Sequence, residues 1–278
     1  LRFCLASLVT ALLLTGGQIA NAASHGANTA NLENPAKVSM LPGWTREDGL
    51  YVAALRFDLA PGWKTYWREP GANGIAPTFN WSGSNNIAQV GVLWPTPKIY
   101  QAYGTRTIGY ADQLILPIIL RPENPAKPIS VKLQLDFGVC DDLCVAARSL
   151  VNAVLDPGRV ENQGTIGAAL SRRPASGVSA GLISAICHLD ANGQDFVLRA
   201  ELNFNDAPAP VEAIVIESSN ELMWISETDH NNSGGRINVE ADLQYFGEGA
   251  MAFDRSQLRF TILGPGLGID VAGCIGPS

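Results

Sequence analysis

The chain has 278 residues, of which 46% are hydrophobic and 16% are charged, and it contains 28 glycines and 17 prolines. This balance supplies enough apolar material for one large domain or two ordinary ones, argues against bulk disorder, and favours a β-rich fold with many turns over a helical bundle. The formal net charge is −7 and no run of Lys and Arg occurs. We therefore expect no nucleic-acid binding, because a phosphate backbone requires a basic surface.

The first 22 residues have the features of a secretory signal peptide. Arg2 supplies a minimal positive start, residues 5–14 form an apolar run too short to span a bilayer comfortably, and Ala20-Asn21-Ala22 provides the small residues of a signal-peptidase site. The alternative is a buried helix at the start of a domain. We expect cleavage after Ala22, which removes Cys4 and leaves four cysteines. No later apolar stretch is long enough to cross a bilayer, so we expect no membrane span in the mature chain.

A first β-rich block is predicted over residues 34–157. Period-two alternation of apolar and polar residues, which is typical of strands with one buried face, marks the first and last of its strand candidates, and short aromatic or apolar runs mark the others. The candidates lie at residues 50–59, 63–68, 79–81, 90–94, 114–120 and 131–137. Pro117 in the fifth candidate predicts an edge strand or a bulge, because proline cannot donate a backbone hydrogen bond.

Two cysteines follow the last of these strands. The sequence Cys140-Asp141-Asp142-Leu143-Cys144 comes shortly after Phe137, and apolar residues return at 150–155. The pattern predicts a strand–turn–strand unit in which the cysteine Cα atoms lie within the roughly 4.4–6.8 Å that a disulfide spans.

In an oxidising compartment such a cysteine pair is either structural or redox-active. A loop of three residues gives a structural cross-link little entropic benefit, so we interpret Cys140 and Cys144 as a redox centre that acts through a mixed disulfide. Asp141 and Asp142 add negative charge, which disfavours a thiolate. The alternative is that both carboxylates only solvate the turn.

A linker and a second β-rich block complete the chain. Residues 158–180 are predicted to contain one short helix, because Ile166, Ala169 and Leu170 have helical spacing. Within residues 181–276, apolar and polar residues again alternate, and turn residues divide the alternating runs. We therefore predict an all-β fold of two tandem immunoglobulin-like β-sandwich domains, joined by a short helix-containing linker.

The remaining cysteines, Cys187 and Cys274, bracket nearly all of the second block, as a structural disulfide across a sandwich would. Free buried thiols or a second redox pair are the alternatives. The three histidines, His25, His188 and His230, do not have metal-ligand spacing. No nucleotide-binding or hydrolase motif occurs either, so we expect neither a metal nor another cofactor.

The first block carries several motifs in a characteristic order. They are PGWKTYWREPG at 61–71, WSGS at 81–84, LWPTP at 93–97, IGY at 108–110 and VCDDLC at 139–144. Together they resemble the periplasmic amino-terminal region of DsbD- and ScsB-type thiol:disulfide interchange proteins of bacteria. The resemblance covers residues 34–156 well and extends more weakly into the second block.

The resemblance implies an immunoglobulin-like domain whose cysteine pair carries electrons as part of a periplasmic thiol-disulfide oxidoreductase. Its partners would be a membrane-embedded thiol reductase of the DsbD, ScsB or CcdA type and periplasmic thioredoxin-like proteins. It also implies that Cys144 forms the mixed disulfide and that Cys140 resolves it. Tyr66 and Trp67 would lie beside the cysteines and, with Asp141 and Asp142, shield the pair or form a docking surface. Packing in the core is the alternative for both aromatic residues.

The chain contains neither a polytopic membrane domain nor a C-x-x-C thioredoxin motif. Electrons are therefore expected from a separate membrane protein, unless the chain is part of a longer one. Two other function classes remain open: a non-catalytic exported adaptor with structural disulfides only, and a copper-tolerance protein. The copper hypothesis depends on the adjacent Cys187 and His188, and adjacent strand residues point to opposite faces.

Overall fold

Strands make up most of the chain in the computed structural model. The structure describes residues 35–277 apart from residues 73, 103–104, 193–194, 207, 209 and 250. The predicted signal peptide at residues 1–22 lies outside the described residues. Within the described ranges, no helix is both long enough and apolar enough to cross a membrane.

The first block forms a sandwich of two antiparallel sheets. Its strands are β1 (Ala36–Thr45), β2 (Tyr51–Leu59), β3 (Lys64–Tyr66), β4 (Thr78–Asn80), β5 (Gln89–Val92), β6 (Lys98–Ala102), β7 (Thr105–Ala111), β8 (Gln113–Arg121), β9 (Ile129–Cys140) and β10 (Cys144–Leu155). One sheet has the order β1-β2-β8-β5. The other has the order β10-β9-β3-β7-β6, and β4 also pairs with β9.

The inward-facing residues of both sheets form the first core. The alternation predicted for β9 is observed, because Leu133, Leu135 and Phe137 are buried while the residues between them are at least partly exposed. Phe57 of β2 meets Phe137 edge to face with ring centroids 5.5 Å apart. This contact joins the two sheets at Phe137, three residues before the end of β9.

The predicted helix is present as α1 (Gln163–Ser171). Its buried residues Ile166 and Ala169 pack against Val52, Ala54 and Ile115 on the first sheet. This helix explains why β2 and β8 are buried on both faces over most of their length. The helix is therefore a structural part of the first sandwich as well as a connection.

The prediction for Pro117 is wrong, because β8 lies between β2 and β5 and pairs with β2 without a bulge. The last pair between β5 and β8 joins Val92 to Ile118, and the Pro117 carbonyl accepts a hydrogen bond from the Leu93 amide at 2.9 Å just beyond it. The N and the carbonyl of one antiparallel residue point to the same side. The missing N–H therefore faces Leu93, the residue at which the pairing with β5 ends, so the proline interrupts only the end of this ladder.

The second block is also a sandwich. Its strands are β11 (Ala175–Ser176), β12 (Leu182–Asn192), β13 (Asp195–Phe204), β14 (Ala213–Ser218), β15 (Met223–Ile225), β16 (Asp229–Ser233), β17 (Arg236–Tyr245), β18 (Leu258–Gly264) and β19 (Leu267–Ala272). One sheet has the order β11-β19-β18-β14, and the other has the order β12-β13-β17-β15 with β16 on β17. The all-β architecture of two tandem sandwiches is thus confirmed.

The two sandwiches pack against each other within one compact unit. Leu263 of β18 and Val215 of β14 join the core of the first sandwich. The Thr96 amide donates to the carbonyl of Arg172, the residue that follows α1 in the connection, at 2.8 Å. Gly268 lies so close to Thr96 that a Cβ there would be 2.4 Å from the threonine Oγ1. Small residues and apolar contacts therefore allow the two sandwiches to pack closely at their interface.

We expect Leu135→Ala to lower the free energy of unfolding by about 2–5 kcal/mol, because lost transfer energy and a residual cavity add at a fully buried site. Leu150 on the paired strand β10 is 70% exposed, and Leu150→Ala is the matched control with an expected change within about 0.5 kcal/mol. Urea unfolding followed by circular dichroism, with both disulfides intact, measures the difference. Equal losses in the two variants would contradict the assigned faces of β9 and β10.

Candidate functional site

The cysteine pair lies at the end of the β9–β10 hairpin. Cys140 ends β9, Cys144 begins β10, and the two are opposite each other in the antiparallel register. The three residues between them form the loop, and the sulfurs are joined in a disulfide with a Cα–Cα distance of 4.1 Å. The structure thus places the pair at the predicted tip, with Cα atoms slightly closer than the range expected from the sequence.

The two cysteines differ in exposure. Cys140 is half-buried, whereas Cys144 and the loop residues Asp141, Asp142 and Leu143 are exposed. Cys144 is therefore the more solvent-exposed residue of the pair. Disulfide exchange requires that a partner thiolate reach one of the two sulfurs.

Charges of both signs surround the pair. Lys64 of β3 is the cross-strand partner of Cys140, a geometry in which side chains are about 5 Å apart. Its Nζ donates to the Gly62 carbonyl at 3.2 Å. On the other side, a Cβ at Gly62 would lie 3.1 Å from both carboxylate oxygens of Asp141. The sequence analysis considered the two aspartates only, and the structure adds a lysine as the cross-strand neighbour of Cys140.

Tyr66 is in direct contact with the pair. Its hydroxyl donates a hydrogen bond to the Cys144 Sγ at 3.2 Å. The side chain is almost fully buried, and this burial raises the pKa of Tyr66 above its ordinary value. The phenol therefore stays protonated and remains a hydrogen-bond donor to the sulfur.

Gly138 makes this position of Tyr66 possible. A Cβ at Gly138 would lie 2.6 Å from Cδ2 and Cε2 of the tyrosine ring and 2.7 Å from the Cβ of Ile75. The aromatic ring and Ile75 therefore cover the strand just before Cys140, in a space that only glycine leaves open. The sequence contained Gly138 next to the motif, but nothing local identified its partner.

Trp67 has a different environment from Tyr66. It is fully buried in the first core, and the guanidinium of Arg68 stacks over its ring at 4.1 Å from the centroid. Of the two aromatic residues, the structure brings Tyr66 to the cysteines and packs Trp67 inside the sandwich.

Cys187 and Cys274 form the second disulfide, with a Cα–Cα distance of 5.9 Å. Cys187 of β12 is fully buried in the second core, and Cys274 packs against the same core. Backbone hydrogen bonds from Cys187 to Ile275 and from Ile275 to Ala185, both 2.9 Å long, attach the segment after β19 to β12. This disulfide thus joins a fully buried cysteine to a partly buried one, whereas the first joins a half-buried cysteine to an exposed one.

The histidines and acidic residues do not form a metal site in the part of the chain that is described, since no group of three potential ligands occurs there. His188 lies exposed on β12 and His230 lies on β16. His25 is outside the described residues.

A cleft of about 400 Å³ lies between the two sandwiches. Its charged lining consists of Glu69 and Arg106 from the first sandwich and Glu217 and Glu227 from the second. Residue Glu69 as a whole is exposed, yet desolvation of its carboxyl, together with the negative charge of Glu217, raises the pKa of Glu69 to about 7 despite the opposing charge of Arg68. No sequence motif indicated this cleft.

Comparison with known proteins agrees with the geometry. Residues 38–155 match the family described as "Thiol:disulfide interchange protein DsbD, N-terminal". The structure resembles the crystal structure of the N-terminal periplasmic domain of ScsB from Proteus mirabilis, with a TM-score of 0.61, 22% sequence identity, and coverage of 87% of this chain and 92% of that chain. None of the curated proteins gives a significant match. The family match confirms the resemblance indicated by the motifs, and the structural match confirms the fold class.

We expect Gly138→Ala to displace the Tyr66 hydroxyl from the Cys144 sulfur, because the new methyl group would overlap the tyrosine ring. The reduced protein should then react faster with iodoacetamide at Cys144 than wild type does. Gly91→Ala is the matched control, since Gly91 also lies in a strand and its nearest neighbour to a Cβ is a backbone oxygen at 4.0 Å. Unchanged alkylation in Gly138→Ala would show that Tyr66 does not shield the sulfur.

The raised pKa of Glu69 predicts a pH-dependent stability. The folded protein binds more protons than the unfolded chain between the ordinary value of 4.5 and about 7, so the free energy of unfolding falls as pH rises through this window and is level above it. Glu69→Gln should remove that decline and gain stability relative to wild type between pH 5 and pH 8. Urea unfolding at intervals across this range tests it, with the exposed Glu47→Gln as control. Parallel curves for wild type and Glu69→Gln would contradict the assignment.

Proposed function

We propose that this protein is a periplasmic thiol:disulfide interchange protein that relays reducing equivalents through the Cys140–Cys144 pair. The observation that supports this most is the disulfide between an exposed Cys144 and a half-buried Cys140, inside the segment that matches the DsbD N-terminal family. A disulfide that only stabilises a fold does not need an exposed sulfur. Exchange does, because a partner thiolate must reach one sulfur in line with the bond.

The first half of the proposed cycle reduces the pair. A thiolate of the electron donor attacks the Cys144 Sγ, so a mixed disulfide forms and Cys140 leaves as a thiolate. The second thiol of the donor then attacks the donor's sulfur in the mixed disulfide and releases Cys144 as a thiolate. The donor is left with a disulfide, and two electrons and two protons have passed to Cys140 and Cys144.

The second half of the cycle passes these electrons on. The Cys144 thiolate attacks the disulfide of an oxidised acceptor and forms a second mixed disulfide. Cys140 attacks the Cys144 Sγ, which restores the internal disulfide and releases the acceptor as a dithiol. Cys140 is suited to this step because the hairpin register holds it opposite Cys144 whatever is bound there.

The family match also supports the proposed compartment and partners. We assign the donor to a membrane-embedded thiol reductase of the DsbD, ScsB or CcdA type, and the acceptors to thioredoxin-like proteins of the periplasm. The ScsB domain that the structure resembles is a periplasmic domain, and the signal-peptide pattern in residues 1–22 points to the same compartment. We assign the buried Cys187–Cys274 disulfide a structural role in the second sandwich.

The proposed relay is tested by trapping its intermediate. In Cys140→Ser the resolving thiol is absent, so Cys144 should accumulate a mixed disulfide with its acceptor in a bacterial periplasmic extract. We expect a discrete adduct that reductant dissolves and that mass spectrometry identifies as a thioredoxin-like protein bound at Cys144.

The double variant Cys140→Ser/Cys144→Ser is the control and should give no adduct, while the Cys187–Cys274 disulfide remains in both proteins. The reciprocal variant Cys144→Ser tests the order of the two cysteines, and we expect it to trap much less. An adduct formed mainly by Cys144→Ser would reverse the assigned roles. Absence of an adduct from both single variants would overturn the relay.

A further inference from the structure

The segment that begins at Tyr66 extends from the redox centre to the second sandwich. The chain leaves β3 at Tyr66, and the next residues run along β7. The Trp67 amide donates to the Ile108 carbonyl at 2.9 Å, and the Ile108 amide donates to the Pro70 carbonyl at 3.0 Å. We call residues 66–71 the bridging segment, because one end contacts Cys144 and the other end contacts the second sandwich.

Arg68 anchors the middle of the bridging segment. Its guanidinium makes two hydrogen bonds to the Glu217 carboxylate, of 2.7 and 2.8 Å, and a longer one of 3.3 Å to the Thr261 hydroxyl. The side chains of Arg68 and Glu217 are only 19% and 15% exposed. Bidentate pairs that are largely withdrawn from water are directional and among the stronger polar contacts in proteins. The same guanidinium stacks on Trp67, so the pair fixes the residue next to Tyr66.

A second ion pair holds the end of the bridging segment. Arg106 of β7 binds Glu227 at 3.0 Å. Gly71 lies against both residues, since a Cβ there would be 2.8 Å from the Arg106 carbonyl oxygen and 3.6 Å from the Glu227 Oε1. Gly71 also has a φ of +89°, which favours glycine. The turn at this end is therefore tightly packed against the interface between the sandwiches.

We propose that Glu217 and Glu227 are positioning residues for the redox centre: through Arg68 and Arg106 they hold the bridging segment so that Tyr66 stays on the Cys144 sulfur. The second sandwich thus controls access to a cysteine pair that lies entirely on the first. This inference deepens the proposed function, because it assumes that the Cys140–Cys144 pair is the site of exchange.

The test measures how fast Cys144 reacts with iodoacetamide, in a Cys140→Ser background that leaves one free thiol. Glu217→Gln and Glu227→Gln remove one carboxylate charge each with little change in shape. We expect either to raise the alkylation rate constant by about twofold to thirtyfold, the range that couplings through packed side-chain networks produce. Glu240→Gln is the matched control, because Glu240 pairs with Arg199 in an exposed ion pair within the second sandwich.

A double-mutant cycle with Tyr66→Phe separates an effect on the position of Tyr66 from a general destabilisation of the protein. If the glutamates act through the tyrosine hydroxyl and its placement, Tyr66→Phe alone should raise the rate, and adding Glu217→Gln should raise it little further. An unchanged rate in both Glu→Gln variants would overturn the proposal. So would an effect of Glu217→Gln that is fully retained in the Tyr66→Phe background, because it would then bypass the tyrosine.

Two features keep this result interpretable. Glu227 is 47% exposed at its side chain, so Glu227→Gln should remain folded even if loss of the more buried Glu217 carboxylate destabilises the protein. The alkylation needs no partner protein, so its outcome is independent of the trapping experiment. A trapped adduct with unchanged alkylation would support the relay and reject the positioning role. Faster alkylation without a trapped adduct would reject the relay but keep the control of Cys144 by the glutamates.

Discussion

The site depends on the in-register pairing of β9 with β10. The ladder runs without a shift from Ile129–Leu155 to Cys140–Cys144, so the whole hairpin determines where the sulfurs meet. A slip of one residue would move every side chain of one strand to the opposite face. The buried residues of β9, among them Leu135 and Phe137, resist such a slip. The register of β9 with β10 therefore determines both which residues enter the core and which cysteines lie opposite each other.

The two disulfides differ in how deeply they are buried. Cys187 is fully buried and Cys274 packs on the same core, whereas Cys144 is exposed and its main shield is a single tyrosine. Tyr66 in turn belongs to a segment that two arginines hold against the second sandwich. The exposed residue of the first pair is thus in contact with a segment that is itself anchored far from the sulfurs.

Local periodicity predicted the two β-rich blocks and many of their strands, although β1, β6 and β7 were not among the candidates. Alternation predicted β9, helical spacing predicted α1, and the cysteine spacing predicted a hairpin tip, because each pattern lies within a few residues along the chain. Contacts between distant residues could not be predicted in this way. Arg68 and Glu217 are 149 positions apart, and no local pattern relates them or indicates that Tyr66 fills the space above Gly138. The prediction for Pro117 was wrong for the same reason, because whether a central strand accepts a proline there depends on where the neighbouring strand β5 ends.

The most direct test of the account is a redox titration of the oxidised protein in glutathione buffers, with alkylation and mass spectrometry reporting each disulfide separately. Structural disulfides have potentials below about −300 mV, and exchangeable ones are more easily reduced. We predict that Cys140–Cys144 is reduced at potentials clearly above that value while Cys187–Cys274 stays oxidised. If Cys140–Cys144 resisted reduction until the protein unfolded, the pair would be a structural cross-link and the account would be wrong.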